Sequence, residues 1–171
     1  MPKQSEEGIA LVLALLLVLA MSAVGASMVA LGQSETLASR NYQLMTQARY
    51  GAESGIHKAV NFLLNAYAPP GTGADPLAAY DQTTSPVRVG GAPVVLSADP
   101  AVASNYPVAA VRDGFAAAAS GTLATGNERV AYTAVARLLS MRVVNGQTVL
   151  TWQISATGAI VGVAEICFSS V

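Results

Sequence analysis

The sequence predicts an α+β protein: a long N-terminal helix, about residues 9–67, whose C-terminal half packs on a small antiparallel sheet. Three features carry that expectation. An apolar run passes without a linker into an amphipathic pattern of helical period, and no proline interrupts it before Pro69. A stretch rich in proline and glycine, residues 68–128, then breaks the pattern. From Arg129 onward the chain alternates around Asn145-Gly146, the strongest short-range signal for a hairpin. The chain of 171 residues has room for one small domain and an anchor.

Composition narrows the function before any motif does. The net charge is -1, from nine basic and ten acidic residues scattered singly. No basic stripe suggests a nucleic acid partner, and no acidic run suggests a tail. One cysteine, Cys167, rules out an intrachain disulfide. Between Ile166 and Phe168 it reads as core filler, with a reactive thiol as the alternative.

The apolar run, Gly8 to Ser34, contains no Asp, Glu, Lys or Arg. Ile9 to Leu31 as a helix would reach about 35 Å, against about 30 Å of bilayer hydrocarbon. It is long enough to span a membrane. A secretory signal would need a shorter apolar core and a more basic front, although Ala23-Val24-Gly25 could serve as its cut. A plain uncut anchor is a second alternative, with too little bias between Lys3 and Arg40 to orient it. Gly25 and Gly32 lie seven apart on one helical face, where small residues let helices approach closely in a membrane or a filament.

From Gln33 to Tyr67 the period stays near 3.6. Gln43, Gln47, Ser54, Lys58, Asn61 and Asn65 form a polar stripe. Leu37, Leu44, Ala48, Ala52, Ile56, Ala59 and Leu63 fall opposite and want cover. Pro69-Pro70 ends the helix. Glu53 stands four residues from both Arg49 and His57, the spacing of an exposed ion pair. No second histidine or nucleophile accompanies it, so no acid–base catalyst emerges. One histidine and one cysteine cannot make a metal site, and no cofactor motif is present. The chain reads as a non-enzyme.

Residues 68–128 hold seven of the eight prolines. Short runs at Val87–Val89, Val94–Leu96 and Val108–Val111 suggest strands within what otherwise reads as a variable loop region. Residues 129–171 read as three antiparallel strands. Pairing Val144 with Gln147 sets Met141 opposite Leu150, Leu139 opposite Trp152 and Val135 opposite Ala156 on a buried face. Ser140 then faces Thr151 and Arg142 faces Val149 on the wet side. Arg137 opposite Ile154 is a misfit. Thr157-Gly158 would turn the chain into the last strand, Ile160 to Ser169. The helical stripe from Leu44 to Leu63 is the long apolar surface available to cover this sheet, through Leu44, Ala48, Ala52, Ile56, Leu63, Leu139 and Trp152.

A short hydrophilic leader ending Glu6-Glu7-Gly8, an apolar stretch directly after it and then continuous amphipathic helix resemble the class III signal of type IV prepilins and type II secretion pseudopilins. The downstream Gln47-Ala48-Arg49-Tyr50-Gly51-Ala52-Glu53-Ser54-Gly55-Ile56 resembles the signature of PilX-type minor pilins. The resemblance covers about Gly8 to Leu64. It implies a pilin-like fold, a leader of residues 1–8, cleavage by prepilin peptidase between Gly8 and Ile9, and N-methylation of Ile9. Most pilins carry phenylalanine first and glutamate fifth after the cut, where this chain has Ile9 and Leu13. A carboxylate at bilayer depth costs about 2.5–3.5 kcal/mol and needs a partner charge. Its absence is shared with PilX-type pilins and the K-type pseudopilin, and points to a minor subunit near a filament tip.

The resemblance therefore implies a minor pilin at or near the tip of a type IV pilus, priming assembly and supporting adhesion or twitching motility. The implied partners are other minor pilins and the major pilin through the N-terminal helix, prepilin peptidase, the membrane and a tip adhesin. The implied location is the bacterial inner membrane by a single span, with the C-terminal domain extracytoplasmic, then the cell-surface pilus. The alternatives are a minor pseudopilin of a type II secretion system and an anchored or secreted extracytoplasmic binding module.

Overall fold

The computed structural model describes residues 4–71, 75–125, 128–162 and 167–170. The first three leader residues and the side chain of Cys167 lie outside that description. The architecture is α+β: helix α1, Gln4–Asn65, is followed by a domain built on antiparallel sheets. Two compact units divide the chain, Met1–Gln43 and Leu44–Val171. The first holds the apolar run of α1 and the polar turns after it, up to Gln43, and is taken up with the functional site.

In the second unit α1 ends at Asn65, two residues short of the expected Tyr67. The N–H groups of Ala66 and Tyr67 both bond back to the Phe62 carbonyl, closing the last turn before Pro69-Pro70. After a single 3-10 turn at Leu77–Ala79 come short strands β1 (Arg88–Val89), β2 (Ala92–Pro93) and β3 (Val95–Ser97). Helix α2 follows, Ala109–Ala118, and then β4 (Ser120–Thr125), β5 (Glu128–Val144), β6 (Gln147–Val161) and β7 (Cys167–Ser170). The main sheet has the order β3-β5-β6-β7, and β4 shares with β3 the same edge of β5. A separate two-stranded ribbon is made by β1 and β2.

The region 68–128 thus carries more regular structure than the loop the sequence suggested. Val108–Val111, expected as a strand, caps and opens α2 instead. Val111, Phe115 and Ala119 recur every fourth residue; Phe115 and Ala119 are fully buried, and Val111 packs against the core. Phe115 meets Phe62 of α1 edge to face, with ring centroids 5.7 Å apart.

The hairpin forms at Asn145-Gly146, whose φ values of 51° and 79° are those of a type I′ turn. The expected register holds from Val144↔Gln147 to Ser140↔Thr151 and then slips by one. A β-bulge at Leu139 pairs Trp152 with Leu138, Ile154 with Ala136 and Ala156 with Ala134. The bulge changes which residues face inward: Ala134, Ala136 and Leu138 are buried before it, and Met141 after it. Leu139 accordingly leaves the core position expected of it. Arg137 pairs with Gln153 on the exposed face, which removes its misfit.

Thr157-Gly158 is no turn. Strand β6 runs straight through it to Val161, and β7 pairs with residues 156–159 of β6. Leu96, Tyr106, Phe115 and Leu138 anchor the core, each fully buried. Such side chains contribute about 1.5–3 kcal/mol apiece.

Candidate functional site

Helix α1 does different work in the two units. Within the first, every side chain described, from Gly8 to Gln43, is exposed. Leu11, Met21 and Met28 are 67%, 69% and 69% exposed, in a segment with no charged residue between Gly8 and Ser34. Leucines in that state need a nonaqueous neighbour. Three hydroxyls in this part of α1 are satisfied within the helix: Ser22, Ser27 and Thr36 each donate at 2.8 Å to the carbonyl four residues back. Those bonds keep three hydroxyl donors paired within the helix, as a hydrocarbon medium requires. Helix α1 is long and apolar enough to cross a membrane.

Gly8 and Ile9 sit on this exposed stretch, and Leu13 is 61% exposed. A Cβ added at Gly8, Gly25 or Gly32 would meet nothing within 4 Å. Nothing within the chain's own described atoms therefore requires glycine at those positions.

The second unit holds the other half of α1, and there the glycines are crowded. A Cβ at Gly51 would strike Val130, and one at Gly55 would come within 3.1 Å of Ala156 and 3.3 Å of the Tyr132 ring. Ala48, Ala52 and Ala59 are fully buried alongside. Across from them a Cβ at Gly158 would overlap the Ala48 carbonyl oxygen and lie 2.7 Å from the Ala52 nitrogen. A stripe of small residues on α1 is thus seated backbone to backbone on a glycine in β6. This explains why Thr157-Gly158 stays in the strand: glycine within a strand marks a close approach.

Leu44 packs with Ala48 and Ile160 in a satellite cluster, while Ile56 and Leu63 pack half-buried against the main core. Trp152 is half-buried, its ring 5.8 Å from that of Tyr67. Gln47, expected on the wet stripe, is half-buried, and its Oε1 is enclosed without a hydrogen-bond partner. The exposed ion pair joins Arg49 Nε to Glu53 Oε1 at 2.9 Å. In the sequence Gly51 and Gly55 stand only within the PilX-like run and Gly158 reads as half of a turn, so none of the three points to helix–sheet contact. Their traces were the small residues four apart on α1 and the lone glycine inside an alternating run.

Beyond the end of α1, a buried polar cluster ties down the chain. Asp75 accepts from the Tyr80 hydroxyl at 2.6 Å through Oδ1 and from the Tyr106 hydroxyl through Oδ2. The Tyr106 and Tyr67 hydroxyls lie 3.0 Å apart. Burial first, then these hydrogen bonds, push all three tyrosine hydroxyls well above their ordinary value. The carboxylate is spent on two phenols, which suits a tether and leaves no free base. Among the described residues, no three His, Cys, Asp or Glu side chains gather where they could hold a metal.

An exposed apolar helix that turns into a small-residue seat on a sheet is suited to anchoring and assembly. Residues 7–57, which span both parts of α1, match the family described as PilX N-terminal. Over those residues the chain is similar to the N-terminal segment of PilX-type pilins. No curated protein and no solved structure matches the chain. PilX-type proteins are minor pilins of the type IV pilus, structural components that work by contact with other pilus components. Helix α1, long and apolar, fits membrane anchoring as well as a pilus.

Proposed function

We propose that this chain is a minor pilin held in the inner membrane by the first half of α1 and then incorporated at or near the tip of a type IV pilus. One coincidence carries the reading: the PilX N-terminal match of residues 7–57 falls on the helix whose apolar side chains from Ile9 to Leu31 have no cover in their own unit. Lipid covers that surface before assembly, and neighbouring pilin helices cover it afterwards. Gly25 and Gly32, where an added Cβ would meet nothing within 4 Å, are where a neighbouring helix would come closest.

On this reading prepilin peptidase removes residues 1–8, and Ile9 becomes the methylated amino terminus. Leu13 supports a place near the tip. A pilin with glutamate at that point can bind the amino terminus of the next subunit, and this one offers no such acid. The domain, extracytoplasmic in the membrane, then primes assembly, with adhesion or twitching as its outcome.

Fractionation tests the reading. Pili sheared from cells should contain this protein at far fewer copies than the major subunit, and cells lacking it should lose surface pili. Its complete retention in the membrane fraction, with piliation unchanged by its deletion, would refute the proposal.

A further inference from the structure

The second unit has a polar cleft that neither the helix seat nor the Asp75 cluster uses. It lies where the C-terminal turns of α1 and α2 meet the start of β4, and its volume is about 420 Å³. Small-ligand sites fall in the range of about 300–1,000 Å³. Phe62, packed edge to face on Phe115, makes the apolar wall together with Ala117 and Ala118. Tyr132 lines the cleft from β5. It is only 7% exposed, yet its hydroxyl forms no hydrogen bond among the described residues. Two glycines clear its path: a Cβ at Gly55 would come within 3.3 Å of the ring, and one at Gly121 within 2.7 Å of the hydroxyl. A phenol set this deep is ordinarily bonded, so its acceptor has to come from the cleft.

The other polar groups of the cleft are used in part, and what they leave over is complementary. Asn65 Nδ2 donates to Asn61 Oδ1 at 2.6 Å and to the Asn61 carbonyl at 3.1 Å, which leaves Asn61 Nδ2 to donate and Asn65 Oδ1 to accept. Ser120 Oγ spends its proton on the Ala116 carbonyl at 2.7 Å and keeps its lone pairs. Lys58 forms no ion pair among the described residues and adds a further donor. Donors and acceptors thus stand side by side around an apolar wall.

Charge narrows the ligand. Among the described residues no carboxylate lines the cleft, so nothing there holds a cation by pairing with it. An anion would gain from Lys58 but would meet the C-terminal ends of two helices, which carry partial negative charge. A neutral molecule rich in hydroxyls, each able to give and to accept, satisfies both sets of groups and can lay its C–H surface on the apolar wall. We propose that this cleft binds a neutral sugar, with the Tyr132 hydroxyl and Asn61 Nδ2 donating to its oxygens and Ser120 Oγ and Asn65 Oδ1 accepting from its hydroxyls. The inference stands apart from the pilus reading, since every group in it belongs to the second unit and none to the apolar half of α1.

A glycan array tests it, probed with the full chain in a detergent whose head group is not a sugar. The array carries glycans ending in galactose, glucose or N-acetylglucosamine, beside sialylated and sulfated counterparts. The chain should be retained by neutral glycans and released by the matching free sugar, and an added acidic group should not strengthen binding. Tyr132→Phe removes the hydroxyl alone, and Asn61→Leu replaces an exposed amide on α1. Each should weaken binding about tenfold or more, while unfolding followed by Trp152 fluorescence shows the domain intact. Asn61→Leu decides the matter if Tyr132→Phe proves unstable, because Asn61 is exposed. The proposal is overturned if no neutral glycan is retained, if acidic glycans are preferred, or if Asn61→Leu and a folded Tyr132→Phe bind as the parent does. A chain that enters pili but retains no glycan would sink this inference and leave the pilin reading standing.

Discussion

Gly158 of β6 lies directly under Ala48 of α1, so close that a methyl group on the glycine would occupy the space of the Ala48 carbonyl oxygen. The helix backbone, with no side chain between, rests on the sheet. Gly158→Ala should therefore lift α1 from its seat, at a cost of about 3 kcal/mol or more. Chemical unfolding followed by the fluorescence of Trp152, the one tryptophan in the chain, reads the loss. Gly146→Ala serves as a comparison: its added methyl meets nothing within 4 Å, and only the positive φ is strained.

The bulge in β5 separates two adjacent leucines. Leu138 is fully buried opposite Trp152, whereas Leu139 is the extra residue and only partly covered. Leu138→Ala should cost about 2–5 kcal/mol, the range for a fully buried leucine. Leu139→Ala should cost less than half as much. Equal losses in an unfolding titration would mean that the strand runs without the bulge.

The Asp75 cluster makes a prediction in two directions. Asp75→Ala leaves the Tyr80 and Tyr106 hydroxyls without their acceptor and should destabilise the domain by about 2–4 kcal/mol. The pH dependence follows from the raised tyrosines. The folded chain holds those protons more tightly than the unfolded chain, whose tyrosines ionise near 10.0. The stability they contribute is fully present below that pH and falls as the pH rises above it. Thermal midpoints should thus drop steeply beyond about pH 10. Tyr80→Phe removes one of the three groups and should make the drop shallower.

Much of this was legible in the sequence for local reasons. Asn145-Gly146 tolerates positive φ at both positions, so the hairpin could be placed to the residue. The proline-free period of 3.6 gave the long helix. What was hidden depends on distant partners. Gly158 follows a threonine and looks like a turn, and only the arrival of Ala48 shows why it is glycine. Val108–Val111 is too short to distinguish strand from helix, and Phe115 decides it by finding Phe62. The bulge left one trace, an arginine that seemed to face inward, because a single extra residue at Leu139 reverses the faces of everything beyond it.

Gly25 and Gly32 should behave unlike the glycines of the seat. Since added side chains there meet nothing in the chain itself, Gly25→Leu and Gly32→Leu should leave the unfolding of the C-terminal domain unchanged. Their effect should fall on assembly, as fewer pili on the cell surface when counted by electron microscopy. A loss of domain stability, or full piliation with both leucines present, would argue against neighbour packing at these sites.

The central claim is that α1 begins, in the mature protein, at Ile9. Intact-mass and N-terminal peptide spectrometry of the protein isolated from membranes or sheared pili tests it most directly. The account predicts a chain that starts at Ile9 and carries one added methyl group on its amino terminus, both lost in cells without prepilin peptidase. A mature chain that still begins at Met1, or one cut near Ala26, would contradict it.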